Sequence, residues 1–545
     1  MSKNLEFQLY DWTEAQDGGN FIIHSFGRTD DDQSVYAKIT GFKPYFYFFL
    51  PNIIQDESKE TLEIIIQKIA KYFKNDIIIE DDLKKNEPLK LSFKEIQLVK
   101  LKKAEGFTND KEFWFAKVVF NNVYGMTKYI GYLEKNEILI SGISELSIPI
   151  KYKLYEANLQ AMLTCFHIKE ISGCSWIETS IYKSITDEEK KESLCNIEIH
   201  VDWKDLNHIK KDHNAPFRIC SFDIECFSID GEFPQADRPE NSVIQIGATC
   251  TKIGQSVPYR QYIGCLNETA SVENTIVESC ETERDLLLNF LKEIVNNDCD
   301  IITGYNILYF DEKYLYDRCK LLKIEEKMSF MSKLKKKKCL FIVETFEFSN
   351  KFKYWETPGR IHIDLMKEIQ KNYKLTSYKL DYVASHFIRG EIINFNLMDS
   401  CLIELECKEV NDIKLGDYIH LEVDNEYLTN EISEKIQVIR LNIDDKKIIA
   451  RGNVSSLSKL EISKLEGTFY WTQAKDDVSP KDIFKFFKGS SKERAIVAKY
   501  CIKDCRLVNL LINKLEIVTK NIEMSNVCFV PLSNLFFKGQ GIKIF

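Results

Sequence analysis

The chain has no apolar run long enough to cross a bilayer: its longest, around Phe46 to Leu50, falls far short of the roughly 20 residues that a spanning helix needs. Nor does it open like a secretory signal, because Met1 to Asp11 is polar and acidic where such a leader is basic and then apolar. C-x-x-C pairs are absent as well. Sixteen cysteines scattered through 545 residues suit the reduced thiols of an intracellular protein better than the disulfide framework of a small secreted scaffold. Cys501 and Cys505, four apart on a predicted helix, could share a metal ion, but histidine is scarce and none of the eight lies beside them. Ordinary packing is their expected role. A basic surplus is missing too. The net charge of −9 excludes a surface that binds polyanions everywhere, so any contact with nucleic acid must be local. The densest basic stretch, Lys333 and Lys335 to Lys338, reads equally as a solvated loop or a phosphate contact.

What is present is a globular composition, 44% hydrophobic and 29% charged, over a length that suggests three or four folding units at about 150 residues each. The opening reads as strands: Leu5 to Trp12, Phe21 to Phe26, Val35 to Ile39, then the aromatic block Pro44 to Phe49. Burial in a core is the expected role of those aromatics, with stacking on bases as the alternative. Glu60 to Tyr72 has helical spacing, and Glu156 to Cys165 is a second predicted helix. Residues 1–190 are thus predicted to be an α+β domain, with 191–214 as a connecting segment after it. From Arg218 onward apolar strands alternate with long helices, the sign of an α/β or mixed α+β layer architecture. That pattern spans 215–520 and is interrupted at about 400–452. There Ile403, Leu405 and Cys407 alternate with Glu404 and Glu406, and Ile419, Leu421 and Val423 with His420 and Glu422, which predicts a β-rich insertion with a turn at Asp444 to Lys447. The last long helix opens on a capping box, Ser490 with Glu493. Its inward stripe is predicted to be Ile496, Val497, Tyr500, Leu507, Val508, Leu511 and Leu515.

Four carboxylates stand in unusual places. Asp223 and Glu225 are two apart in the largely apolar run Ile219 to Cys226, which reads as a buried strand, so both side chains point to one face. Neighbouring carboxylates repel and are costly to bury unless a cation sits between them. Hard ions such as Mg2+ or Mn2+ suit carboxylate oxygen, whereas zinc would favour histidine and cysteine. For this pair taken alone, a solvated strand end explains the sequence as well. Asp311 closes Asn306-Ile307-Leu308-Tyr309-Phe310-Asp311, after the apolar Ile301-Ile302 and the turn residue Gly304. It falls at the start of a predicted helix, where the helix dipole alone would favour an acid. Asp504 lies on the apolar face of the last helix, where a charge calls for a pair or a metal. Tyr500, four residues earlier, shares that face and could orient a water; a structural aspartate bonded to a backbone N–H is the alternative.

Phe222-Asp223-Ile224-Glu225, then Asn306 to Asp311, then Tyr500-Cys501-Ile502-Lys503-Asp504 resemble, in order and context, the three motifs of the 3′-5′ exonuclease domain of family B DNA polymerases. Gly359 to Leu365 with Tyr378-Lys379-Leu380-Asp381 looks like the segment those enzymes carry between the second and third motifs. Lys475 to Pro480, the β-rich insertion and Pro44 to Tyr47 are similar to the polymerases of large double-stranded DNA viruses. The resemblance covers essentially the whole chain and implies a ribonuclease H-like fold. It also implies hydrolysis of DNA 3′ ends with two divalent ions, Mg2+ or Mn2+. In that reading Asp223 and Asp504 hold one ion, Asp223, Glu225 and the Asp311 region hold the other, and Tyr500 aligns the attacking water. Asn306 and Phe310 contact the terminal unpaired nucleotides, and Asp364, outside the motifs, is structural.

The implied partners are DNA, as a single-stranded primer 3′ end, and a processivity factor. The implied location is a viral replication site in host cytoplasm or nucleus, with no membrane involved. Phe537 to Lys543 resembles the segment leading into a polymerase palm, so residues 521–545 are read as its start. Neither D-x-x-S-L-Y-P nor Y-G-D-T-D-S occurs in the 545 residues. These residues are therefore not expected to polymerise, and a fragment, or half of a split enzyme whose second chain brings palm, fingers and thumb, is expected. The competing readings are a non-catalytic DNA-binding subunit of such an enzyme and a stand-alone ribonuclease H-like nuclease.

Overall fold

The structure is a computed structural model that describes residues 4–75, 92–103, 105–137, 149–345, 351–410, 412–425, 429–454, 467–474 and 478–537. Lys475 to Asp477 and Lys538 to Lys543, on which part of the family resemblance draws, lie outside the described residues. The chain divides into two compact units, Met1–His213 with Ile522–Phe545, and Asn214–Asn521. No helix among the described residues is long and apolar enough to cross a membrane.

In the first unit Leu5–Asp17, Asn20–Arg28 and Ser34–Thr40 form an antiparallel meander within a seven-stranded sheet. Tyr45–Phe49 belongs to a separate four-stranded sheet. Its alternation sends Phe46 and Phe48 into a core shared with Leu62, Ile65 and Ile69 of the helix Lys59–Asn75. Two boundaries differ from the sequence reading. The helix expected over Glu156 to Cys165 runs Ala161–Ile168, because Tyr155 is drawn into a strand beside Tyr47 and Glu156 takes a φ of 56°, which no α-helix accommodates. Residues 191–214, read as connecting, supply the strand Ile197–Asp202 paired in parallel with Ser34–Thr40. A parallel partner so far away in sequence leaves no local signature.

The second unit is built on a mixed six-stranded sheet in the order Ile276–Cys280, Arg260–Leu266, Val243–Lys252, Arg218–Cys226, Ile301–Gly304, Ile361–Asp364. Three consecutive strands from Arg218 to Leu266 run antiparallel, and the strands at Ile301 and Ile361 then add in parallel to the free edge of the first. The helix Glu283–Asn296 covers one face, where Phe222 meets Phe290 at 5.4 Å. On the other face lies the helix Ser491–Lys514, with its capping box formed as predicted. Ile496 does not join that helix's inward stripe: it is 45% exposed. The stripe that meets the sheet instead runs through Val497, Cys501, Cys505 and Val508.

The lysine-rich stretch also divides. Lys333 is fully buried and bonded to Asp298 at 2.9 Å and Asp300 at 2.6 Å, so it is a structural cation, while Lys336 to Lys338 are exposed. The β-rich insertion is wider than 400–452, running from Arg389 to Ala474. Around it Arg389–Leu397, Leu402–Cys407, Lys447–Arg451, Ile436–Asn442, Tyr418–Asp424 and Thr468–Ala474 pair in that order. The last pairs with the first, so these six strands close into a barrel. Ile403, Leu405, Ile419, Leu421 and Val423 point into its core, as their alternation requires.

Candidate active site

Asp223 and Glu225 occupy the strand Arg218–Cys226 on the face opposite Phe222 and Ile224. They therefore look toward the helix Ser491–Lys514. That helix is held against the neighbouring strand at three points on one face. Gln245 donates to the Arg494 carbonyl at 2.9 Å, and Asn509 donates to the Thr249 carbonyl at 2.9 Å and to its hydroxyl at 2.8 Å. Between them Gly247 has no side chain, and a Cβ there would stand 2.7 Å from Cys501 Sγ and 3.2 Å from Cys505 Sγ. The two cysteines thus press directly onto the backbone of the strand beside Asp223, and the Cys501 thiol donates to the Asp223 carbonyl at 3.6 Å. On the same helix Asp504 is 7% exposed and Tyr500 is half-buried, packed with Phe227, Ile244 and Val497.

Asp311 arrives from the other side, at the first turn of the helix Asp311–Leu321. Its carboxyl is buried and its pKa is pushed up to about 8: burial is the largest cause, and the nearby Asp364 and Glu225 charges add to it. The N–H groups of Asp311 and Ile224 oppose the shift without cancelling it. Favourable dipole placement alone does not describe this aspartate, because it sits where an extra negative charge is resisted. Asp223, Glu225 and Cys501 each offer a ligand atom within 4.8 Å of the others, and neither Asp311 nor Asp504 joins that group at this distance. Burial pushes the Cys505 thiol up to about 11, and the charges of Asp223, Asp504 and Asp311 add to the shift.

The loop between the strand at Ile301 and the helix at Asp311 is shaped by Asp364. Its carboxylate accepts from Asn306 N at 2.9 Å, Leu308 N at 3.2 Å and Met366 N at 3.0 Å, capping the helix Leu365–Asn372 while bracing the loop. Asn306 takes a left-handed φ of 68°, which asparagine tolerates better than most residues. Phe310 is half-buried, with its ring 5.4 Å from those of Phe233 and Tyr314. Sequence reasoning treated Asp364 as structural and passed over Gly247, whose role has no local signal because it depends on a helix more than 240 residues away.

The donor set answers what could bind here. Carboxylate oxygens dominate it, a buried aspartate resists ionisation beside like charges, and the one sulfur in reach donates to a carbonyl. Those features fit a hard divalent cation and do not fit a soft, thiolate-seeking one. Fourteen of the sixteen cysteines are buried and all are free thiols, in keeping with a packing role for Cys501 and Cys505.

A three-stranded antiparallel run extended by parallel strands, with acids on its first strand facing a helix, defines a ribonuclease H-like domain. Residues 152–383 match the family described as DNA polymerase family B, exonuclease domain. The chain is similar to a DNA polymerase of Acanthamoeba polyphaga mimivirus, 30% identical over all of this chain and 38% of the relative. It is 28% identical to a DNA polymerase of Pyramimonas orientalis virus, over all of this chain and 53% of that one. The DNA polymerase delta catalytic subunit of Dictyostelium discoideum is 28% identical over 96% of this chain and 39% of its own length. Among solved structures, the family B DNA polymerase of the archaeon Pyrobaculum calidifontis shares the fold with a TM-score of 0.55 at 15% identity, covering 99% of this chain and 49% of that one. Residues 152–383 thus correspond to the exonuclease domain of family B DNA polymerases, and the chain's relatives include viral and delta-type enzymes of that family. It spans roughly two fifths to one half of the relatives' length.

Proposed function

We propose that residues 214–521 remove nucleotides from DNA 3′ ends by metal-dependent hydrolysis and so proofread replication of the viral type. The observation that carries this reading is the pair Asp223 and Glu225 on one face of a strand beside the helix that carries Asp504, with Asp311 too buried to ionise readily and resisted further by Asp364 and Glu225. These four acids would hold two divalent ions, Mg2+ or Mn2+. Such ions, when bound, make water a better nucleophile and stabilise the leaving oxygen. Tyr500, one turn before Asp504, aligns the attacking water. Asn306 and Phe310 receive the terminal unpaired nucleotides, Phe310 through its ring. Mispaired ends are preferred because a frayed terminus costs less to unpair. Proofreading follows where a polymerase site hands over the end, as the relatives' name of DNA polymerase suggests, with a processivity factor or a second chain as further partners.

The test is to incubate the purified chain and Asp223→Ala with a 3′-mismatched primer-template, Mg2+ and nucleotides, and to follow primer length. Shortening by the parent, without extension, is expected. In Asp223→Ala it should fall by more than the roughly 10–100-fold that loss of a mere supporting partner of a metal ligand costs. Equal shortening by both proteins would remove Asp223 from the chemistry, and none by either would favour a DNA-binding role without hydrolysis.

A further inference from the structure

Lys492, Ala495, Ile496, Lys499, Lys503 and Arg506 recur at helical spacing along the helix Ser491–Lys514, on a stripe distinct from the one seated on the sheet. A cleft of about 1080 Å³ opens along that stripe, walled by the barrel segment Lys414–Tyr418 with Lys435 and by the loop Ser271–Thr275. Its lining holds six cationic side chains, Lys414, Lys435, Lys492, Lys499, Lys503 and Arg506, against two carboxylates, Glu273 and Asp417. In a chain with 83 acidic and 74 basic residues this local excess runs against the average. Asp417 is already engaged, accepting from Lys414 N at 2.9 Å and facing Arg506 at 3.0 Å, so it braces the barrel wall. Partial desolvation against the cleft walls, and then the neighbouring Arg506, hold the solvent-reaching Lys414 ammonium below its ordinary pKa, a repulsion that a bound anion would relieve.

The shape of the charge narrows the ligand. Lys492, Lys499 and Arg506 stand seven residues apart, so they span about 21 Å of helix axis, or roughly six nucleotides of one strand at the 3.4 Å rise of a stacked chain. An aromatic ring is interleaved with them: Tyr418 lines the cleft, with Lys503 Nζ 5.6 Å from its centroid. Cations at intervals of about three nucleotides, with a ring between them, suit a single strand held without sequence readout. Tyr500 also lines the cleft and lies one turn before Asp504 in the same helix.

We infer that this cleft binds a single strand of nucleic acid by its phosphates, with the β-barrel forming one wall of a clamp on the strand that leads to the acidic site. The assignment rests on the nuclease reading for where the strand goes, but not for whether the cleft binds it. The barrel wall belongs to the insertion that runs from Arg389 to Ala474.

Binding of a labelled oligothymidylate of about twelve nucleotides, followed by fluorescence anisotropy in EDTA, tests the cleft apart from hydrolysis. The variant carries Lys414→Glu, Lys492→Glu and Lys499→Glu, three exposed positions. Its affinity is expected to fall at least roughly tenfold near 100 mM salt, and the slope of log affinity against log salt to shrink by about 2, at about 0.7 for each phosphate left without its cation. Asp223→Ala should bind like the parent. Affinity within about twofold of the parent, with an unchanged slope, would overturn the inference, as would competition by polyglutamate equal to that of the oligonucleotide at the same charge. If the triple variant does not fold, the parent decides: 5-iodouracil placed along the strand should photocrosslink to the peptide holding Tyr418, and crosslinks found only outside the barrel and the helix would sink the proposal. Lost binding in the variant with a hydrolytically inert parent removes the nuclease reading and keeps the cleft, while retained binding with an active parent does the reverse.

Discussion

Asp364 is buried, 3% exposed, and yet accepts three backbone N–H groups that favour its charged form. Burial outweighs them and raises its pKa from an ordinary 3.8 to about 6. In the window between those values the folded chain keeps a proton that the unfolded chain has released. The stabilisation this gives is complete below about pH 4 and is lost as pH rises through 6. Asp364→Asn cannot ionise and lacks the dependence. The stability of the parent relative to this variant should therefore decline by roughly 3 kcal/mol between about pH 4 and 7, read from urea denaturation at each pH. A difference that stays flat would mean that the carboxyl ionises as easily folded as unfolded.

At the scale of elements, the contact between the helix Ser491–Lys514 and the strand Val243–Lys252 sets where Asp504 stands relative to Asp223. Gly247→Ala puts a Cβ 2.7 Å from Cys501 Sγ, so the helix has to lift. Overpacking of this kind costs about 1–3 kcal/mol. Asp504 and Tyr500 travel with the helix, so hydrolysis of DNA 3′ ends is expected to drop at temperatures where the variant is still folded. Gly131→Ala is the control: it lies in the helix Val123–Lys135 with nothing within 4 Å of the added Cβ, and should gain about 0.5–1 kcal/mol. Circular dichroism against urea, run beside the primer assay, checks both, and a fully active Gly247→Ala would show that the helix position does not govern the site.

The whole molecule has two units with separate cores, so calorimetry should resolve two transitions. Mg2+ or Mn2+ is expected to raise only the one belonging to Asn214–Asn521, by about 2.7 kcal/mol at a hundred times the dissociation constant. Asp223→Ala should abolish that rise and leave the other transition unmoved. A shift of both transitions, or persistence of the shift in the variant, would place the ion elsewhere.

The sequence by itself determined what lies within a turn or a strand. Period-two alternation marked the barrel strands, the Ser490 and Glu493 pair marked the start of the last helix, and the family was legible because its motifs are short and contiguous. Only the tertiary structure decided what depends on partners far apart in the chain: that Lys333 is a buried counterion, that Ile496 lines a cleft instead of the core, and that the insertion closes on itself. It also decided that Gly247 admits the helix carrying Asp504. Periodicity states that a face is apolar, and it cannot state which of two adjacent stripes will meet the sheet. That choice is made by the backbone approach at Gly247, a contact between residues that no local pattern connects.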